Sequence, residues 1–458
     1  MKKLIALILA LSLIAIPFSA FAVTPDPKLT AEGAILVDVT TGKVLFEKNA
    51  DEILYPASTT KMITGLLALE ILDPDEIITA DEATAKTGGT KYGMKVGDKI
   101  RAEDLINIML VMSANDLATC VADYISGNVE DFAILMNDRA MRCGATNTHF
   151  ANANGLHNDD HYSTARDLAL IALECMKNED FARIVSQSVY RAPAIGNNPA
   201  MDIKSTNLML YGDSTADLVY VNGEKRTCKY EGCFGIKTGY TGQAGECLVA
   251  GAERNGTRLI SVVLKSSGNG LGRFADSIAL LDWGFENYKT IKSMDLGTVV
   301  STIKVNRGAV KTVDVIIDSD AVATVPSEAS AAVLSTKPDV PLSVDAPVEE
   351  GQVIGKVILS ENGIKVAEYD AVAAETVEKG GILSIFGIDD ATAAKIFKAI
   401  KLILIAFVIV VVILIVVARR KAMLKKKKRQ AEIAKRKAEE QARKEEWLRE
   451  YERKKYNK

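Results

Sequence analysis

Pro56-Ala57-Ser58-Thr59-Thr60-Lys61 runs straight into Met62-Ile63-Thr64-Gly65-Leu66-Leu67-Ala68-Leu69-Glu70. Pro56 holds the residue before it extended and suits the start of a helix. Ser58 or Thr59 can cap that helix, and the apolar run behind them reads as its buried body. Positions i and i+3 share a helix face, so the Lys61 amine can lie beside the Ser58 hydroxyl. A serine hydroxyl alone is a poor nucleophile, whereas a lysine in a desolvated pocket can lose its proton and serve as its base. A capped helix with a surface lysine would show the same spacing. A second Ser-x-x-Lys, Ser301 to Lys304, lies in an alternating, strand-like segment. The pair implies chemistry only if partners occur elsewhere in the chain.

Around this stretch, residues 30–290 read as one globular block. Ala34–Asp38 and Lys43–Glu47, joined through Thr41-Gly42, form a β-hairpin. Helices are expected over Arg101–Met112, Asn115–Tyr124, Val129–Arg142 and His161–Met176. Strand patterns return at Gly235–Thr241, Cys247–Ala252 and Thr257–Leu264, the last two joined by Arg254-Asn255-Gly256, and Asp276–Phe285 closes as a helix. Strands first, helices in the middle, then strands and a helix suit an α+β fold, an antiparallel sheet with helices packed on it.

Two further triplets supply partners. Ser113-Ala114-Asn115 places a hydroxyl and an amide just after the apolar run Leu105–Met112. Lys237-Thr238-Gly239 places a cation and a hydroxyl on a strand, able to hold a carboxylate, with a glycine that lets a substrate backbone approach the sheet. Each triplet has decoys. Ser-x-Asn recurs at Ser126, Ser205 and Ser267, and Lys-Thr-Gly recurs at Lys86-Thr87-Gly88 in a run that reads as a loop. Only one choice gives Ser-x-x-Lys at a helix start, Ser-x-Asn after a helix and Lys-Thr-Gly on a strand, in that order.

With Asn154-Gly155-Leu156, His161-Tyr162-Ser163-Thr164-Ala165-Arg166-Asp167 and Gly235–Thr241 added, residues 30–290 resemble the serine-type D-alanyl-D-alanine carboxypeptidases. These are the low-molecular-mass penicillin-binding proteins of peptidase family S11. The resemblance implies a β-lactamase/transpeptidase-like catalytic domain acting on peptidoglycan stem peptides that end in D-Ala-D-Ala, with β-lactams as inhibitors. It implies Ser58 as nucleophile, Lys61 as general base and Ser113 as the route of a proton to the leaving D-alanine. Asn115 would hold site and substrate, and Lys237 and Thr238 the terminal carboxylate. The backbone N–H groups of Ser58 and Tyr240 would form the oxyanion hole. Lys61, Lys237 and Ser113 titrate as one coupled group, which leaves the microscopic base open. A β-lactamase, a penicillin-binding receptor signalling through its tail and a non-catalytic wall-binding scaffold are the competing readings.

The 458 residues carry a net charge of −3, which hides a split. From Arg419 to Lys458 there are 18 basic and 7 acidic residues, and the remainder holds 38 basic and 52 acidic. An acidic main body argues against nucleic acid as a partner. The six cysteines fall between 120 and 250 at irregular spacing; Cys228 and Cys233 are the one local pair that could bridge, and buried free thiols are the expected state. Three histidines and no Cys-x-x-Cys give no metal site, and no cofactor is expected.

Residues 1–22 read as a signal peptide, with a basic start, an apolar core and Ala20-Phe21-Ala22. Residues 292–378 read as a small all-β domain, with Asn362-Gly363 as a hairpin turn, and 379–401 as a linker. Residues 402–418 are 17 consecutive apolar residues, read as a transmembrane helix. The basic segment after it, 419–458, belongs in the cytoplasm, its first cluster against anionic lipid, which puts residues 23–395 outside the cell. A spanning helix departs from the amphipathic membrane-lying helix of many relatives, and leaves any partner of the tail unspecified.

Overall fold

The computed structural model describes residues 25–455; the signal-peptide expectation lies outside them. The central sheet contains β1 (Gly33–Asp38), β2 (Val44–Lys48), β3 (Cys233–Thr241), β4 (Gly245–Arg254) and β5 (Thr257–Ser266). Their spatial order is β2-β1-β5-β4-β3, antiparallel throughout. Chain start and chain middle therefore meet at β1 and β5, where Gly33 faces Leu264 and Asp38 faces Leu259.

Successive strand residues point to opposite faces, and both faces of this sheet are covered. Ile35, Val37, Val249, Ile260 and Val262 pack into one core together with the helices that follow β2. Ala34, Leu36, Leu248, Ala250, Leu259 and Val263 pack into another with Phe274, Ile278, Leu281 and Trp283 of the closing helix. Two-sided burial is why these strands read as nearly continuous apolar runs.

The helices that build the first core include α1 (Lys61–Ile71), α3 (Ala102–Met112), α4 (Asn115–Ser126), α5 (Val129–Arg142) and α6 (Ala165–Cys175), and the short helix Glu179–Val185 adds Phe181, Ile184 and Val185; α2 (Glu82–Lys86) contributes no residue to that core, and α7 (Gly272–Asn287) covers the opposite face. All residues from Lys61 to Ala68 are buried, so the first two turns of α1 are enclosed on every side, and only its end at Glu70 and Ile71 is exposed. The expected capping of this helix is not what forms. Residues Ala57–Thr60 make a 3₁₀ turn ahead of α1, with no side-chain cap at either start. Thr59 and Thr60 instead donate their hydroxyls back to the carbonyls of Pro56 (2.8 Å) and Ala57 (2.7 Å). The segment around Lys86, read as a loop, contains the short helix α2, capped by Asp81 accepting from the Thr84 N–H.

The chain divides into two compact units, and the division does not follow chain order. The first holds residues up to Leu296 together with Ser319–Lys337 and Ile358–Tyr369. Within it, β6 (Tyr288–Met294) pairs with β9 (Ala321–Pro326), and Thr324 meets the first hairpin, its hydroxyl 2.6 Å from that of Thr41. The second holds Gly297–Asp318, Pro338–Val357 and Asp370–Lys458. There β7 (Val299–Asn306) and β8 (Thr312–Ile317) pair antiparallel, burying Ile303, Val305, Val313 and Val315 in alternation. The decoy Ser301–Lys304 lies on β7. The hairpin around Asn362-Gly363 joins β10 (Val353–Glu361) and β11 (Ile364–Ala373).

The segment read as a linker is partly ordered into a 3₁₀ turn, Ile382–Phe386, and the start of one helix, α8 (Asp390–Lys455). Among the described residues, α8 is the one helix long and apolar enough to cross a membrane. All six cysteines are free thiols.

Candidate active site

The turn that carries Ser58 holds one residue in a strained conformation. Ala57 adopts φ +49°, a left-handed conformation that alanine rarely takes, and this turns the chain so that Ser58 leads into α1. Strand β3 supports it from the side. A Cβ added at Gly239 would lie 2.9 Å from the Pro56 carbonyl and 3.1 Å from the Ser58 nitrogen, so only glycine lets β3 come this close.

Lys61 is fully enclosed. Its Nζ lies 3.0 Å from Ser58 Oγ, 2.7 Å from Asn115 Oδ1 and 2.6 Å from the Asn154 carbonyl. Burial pushes its pKa well below the lysine range, the Lys237 charge pushes the same way, and Asp116 opposes both. The neutral amine has two N–H donors and one lone pair. Two of its three neighbours can only accept. The Asn154 carbonyl is one; the other is Asn115 Oδ1, because that amide's nitrogen donates to the Gly88 carbonyl at 2.9 Å. In that neutral form the two N–H bonds go to the asparagines, and the lone pair faces the one neighbour that can donate, the Ser58 hydroxyl. That is the geometry of a general base.

Ser113 is buried at the junction of α3 and α4, at φ +66°. Two residues on, Asn115 is held by its side-chain bonds and by its backbone N–H to the Thr90 carbonyl (2.7 Å). Asp116, also buried, accepts from the N–H groups of Tyr92 (3.0 Å), Gly93 (2.7 Å) and Met94 (3.2 Å). These two residues clasp the loop 88–94 beside the lysine.

On β3, Lys237 is buried and donates to the Thr238 carbonyl at 3.2 Å. Burial, with the neighbouring Arg273 charge, lowers its pKa to about 7. The Thr238 hydroxyl lies 2.6 Å from that of Thr206, and Arg273 donates to the Gly239 carbonyl at 2.9 Å. Tyr240, next along the strand, is exposed.

The structure thus joins Ser58, Lys61 and Asn115 directly and brings β3 at Gly239 against the Ser58 turn. Four participants carried no assignment from sequence. Asn154 acts through a backbone carbonyl, which has no residue-type signature, although Asn154-Gly155-Leu156 stood out as a segment. Asp116 directly follows the Ser113-Ala114-Asn115 triplet, and His161, whose Nε2 lies 2.7 Å from the Thr60 hydroxyl in the Ser58 turn, opens the quoted segment His161–Asp167. Arg273 has no motif at all. Two decoys border the site for reasons unrelated to their spelling: Gly88 receives the Asn115 amide, and Thr206 faces Thr238.

A pH dependence follows from the two lysines. On the reading of Lys61 as the base, it acts unprotonated, and activity is expected to fall as acid protonates it. On the reading of Lys237 as the carboxylate holder, it acts protonated, and kcat/KM is expected to fall as pH rises past about 7 in the empty site. A bound carboxylate favours the ammonium form, so the alkaline limb of kcat lies higher. Lys237→Arg, whose side chain keeps its proton, is expected to remove the alkaline limb from the pH profile of kcat/KM.

The family model for D-alanyl-D-alanine carboxypeptidase matches residues 19–268, and that for the penicillin-binding protein 5 C-terminal domain matches 288–379. The chain is 30% identical over 398 residues to the D-alanyl-D-alanine carboxypeptidase DacF of Bacillus subtilis, covering 84% of this chain and 97% of that protein. It is 30% identical over 381 residues to DacC of Escherichia coli, covering 80% and 88%. Among solved structures, penicillin-binding protein 5 from Haemophilus influenzae superposes with a TM-score of 0.63 at 30% identity, covering 78% of this chain and all of that one.

Proposed function

We infer, for a chain that belongs to the D-alanyl-D-alanine carboxypeptidase family S11, that its activity runs through an ester on Ser58. The protein is a serine-type peptidase that removes the terminal D-alanine from peptidoglycan stem peptides. The observation that carries the proposed course is the enclosed Lys61 amine, 3.0 Å from the Ser58 hydroxyl with its two N–H bonds spent on Asn115 and Asn154.

In this course Lys237 and Thr238 hold the terminal carboxylate. Ser58 Oγ attacks the carbonyl carbon of the D-Ala-D-Ala bond as its proton passes to Lys61 Nζ. The backbone N–H groups of Ser58 and Tyr240 receive the oxyanion. Collapse breaks the C–N bond, and the proton travels through Ser113 to the leaving amine. Asn115 keeps Lys61 aimed throughout. Water then attacks the ester and frees Ser58. A β-lactam forms the same ester with Ser58 by opening its ring, and that ester hydrolyses slowly.

The same reading places residues 30–290 as the catalytic domain, 292–378 as the accessory β domain and 402–418 as the span. The exported side carries the site and 419–458 lies in the cytoplasm. Seventeen residues of helix rise about 26 Å, close to a hydrocarbon core of about 30 Å. The basic cluster after the span supports the orientation.

The test is D-alanine release from an N-acylated peptide ending in D-Ala-D-Ala, using the full chain in detergent, beside penicillin hydrolysis. Stoichiometric, persistent penicillin capture with catalytic D-alanine release is expected. Fast penicillin turnover without D-alanine release would make the protein a β-lactamase.

A further inference from the structure

Ala57, the residue that bends the nucleophile turn, has a carbonyl packed beneath the loop at Gly155. A Cβ added at Gly155 would lie 1.9 Å from that oxygen and 2.9 Å from Thr60 Oγ1. Thr60 donates its hydroxyl to the Ala57 carbonyl at 2.7 Å. The same hydroxyl oxygen lies 2.7 Å from His161 Nε2. On the far side of the ring, the Ala151 backbone N–H donates to His161 Nδ1 at 3.0 Å.

The proton positions follow from these partners. A backbone N–H can only donate, so Nδ1 carries no proton. In the neutral ring Nε2 then carries it and donates to Thr60 Oγ1, which leaves the threonine proton free for Ala57. Burial, the largest cause, lowers the His161 pKa to about 3, so the ring stays neutral. Phe150 packs edge-on against it at 5.5 Å between centroids. Every member of the chain Ala151 N–H, His161, Thr60, Ala57 carbonyl is buried or part-buried with a fixed direction.

We propose that His161 and Thr60 are positioning residues for the nucleophile, a one-way hydrogen-bond relay that fixes the Ala57 carbonyl and so holds the strained turn that presents Ser58 to Lys61 and β3. Neither residue touches substrate. Their loss lowers the fraction of molecules whose Ser58 is aimed, which acts on acylation more than on substrate binding. The inference rests on Ser58 as the nucleophile. Wild-type capture of fluorescent penicillin at Ser58 is therefore checked first, so that a failure of that reading shows before any variant is compared.

The experiment measures acylation by fluorescent penicillin, and kcat and KM for D-alanine release, in the full chain carrying Thr60→Val, Thr60→Ser, His161→Phe or Thr60→Val with His161→Phe. Thr60→Val and His161→Phe are each expected to slow acylation about tenfold, the scale of one net hydrogen bond. The double variant should be slowed by about the same tenfold, because the relay is already cut. Thr60→Ser should restore most of the rate, and KM should hardly move. Imidazole nitrogen NMR at pH 7 should find the His161 proton on Nε2. The proposal is overturned if Thr60→Val acylates at the wild-type rate, if the two losses multiply to about a hundredfold, or if the ring proton is on Nδ1. Should His161→Phe fail to fold, the comparison of Thr60→Val with Thr60→Ser decides alone, since neither changes the ring.

Discussion

Ser58→Ala should stop both D-alanine release and covalent penicillin capture, with the fold unchanged. Removing a nucleophile whose base and oxyanion donors remain costs on the order of 10⁴- to 10⁶-fold in kcat. The structural cost should be small. Ser58 Oγ contacts Lys61 Nζ at 3.0 Å and the Asn154 carbonyl at 3.5 Å, and Lys61 keeps its two shorter bonds when the hydroxyl goes. Ordinary surface or partly buried changes shift stability by little, so the melting temperature should stay within a few degrees, roughly the effect of 1 kcal/mol. Residual D-alanine release near the wild-type rate would remove Ser58 from the mechanism.

Lys61→Met should have the next largest effect, and a different signature. The aliphatic stem is approximately matched, so packing along α1 survives, but the base is gone. General-base loss in a coupled nucleophile pair costs at least about 10³-fold. Because no group is left to titrate at that position, the loss should persist across the pH range in which wild type is active. Stability should also fall. The Asn115 Oδ1 and the Asn154 carbonyl lose their donor in a buried site, each at about 1–3 kcal/mol. Thermal unfolding and acylation measured on the same sample separate the two effects: a folded, inactive Lys61→Met supports the base, and a folded, active one removes it.

The contrast between these variants shows what the sequence could and could not convey. The Ser58–Lys61 pairing was legible because a spacing of three has one meaning on a helical turn, even though the turn is 3₁₀ at Ala57–Thr60. That difference came from Ala57, whose positive φ has no signature in an alanine. Lys237-Thr238-Gly239 was legible through the strand pattern around it. The sheet was legible in its hairpins, yet the pairing of β1 with β5 joins residues more than two hundred positions apart, which only the shared two-sided core enforces. The Asn154 carbonyl and the backbone N–H groups at 92–94 that hold Asp116 are main-chain contacts, invisible to any reading of residue types. Arg273 reaches the Gly239 carbonyl from α7, an element the sequence marked only as a closing helix. In the tail, hydropathy found the apolar run 402–418 but not the twelve residues of helix before it, because helix formation there does not need an apolar face.

The same physical division separates the two lysines. Both are buried and both have lowered pKa values, but Lys61 is surrounded by acceptors and a hydroxyl, whereas Lys237 shares its surroundings with the Arg273 charge. The proposed course uses the first to receive a proton and the second to receive an anion. The lysines differ in neighbours rather than in exposure, and it is the neighbours that assign the roles.

The most direct measurement is the position of the penicillin adduct. The full chain is incubated with a β-lactam, quenched, digested and mapped by mass spectrometry. The adduct should sit on Ser58, in wild type and in Lys237→Arg alike, and should vanish in Ser58→Ala. An adduct on Ser113, on a threonine of the same turn or on any residue outside it would contradict the assignment of Ser58 and Lys61 as nucleophile and base.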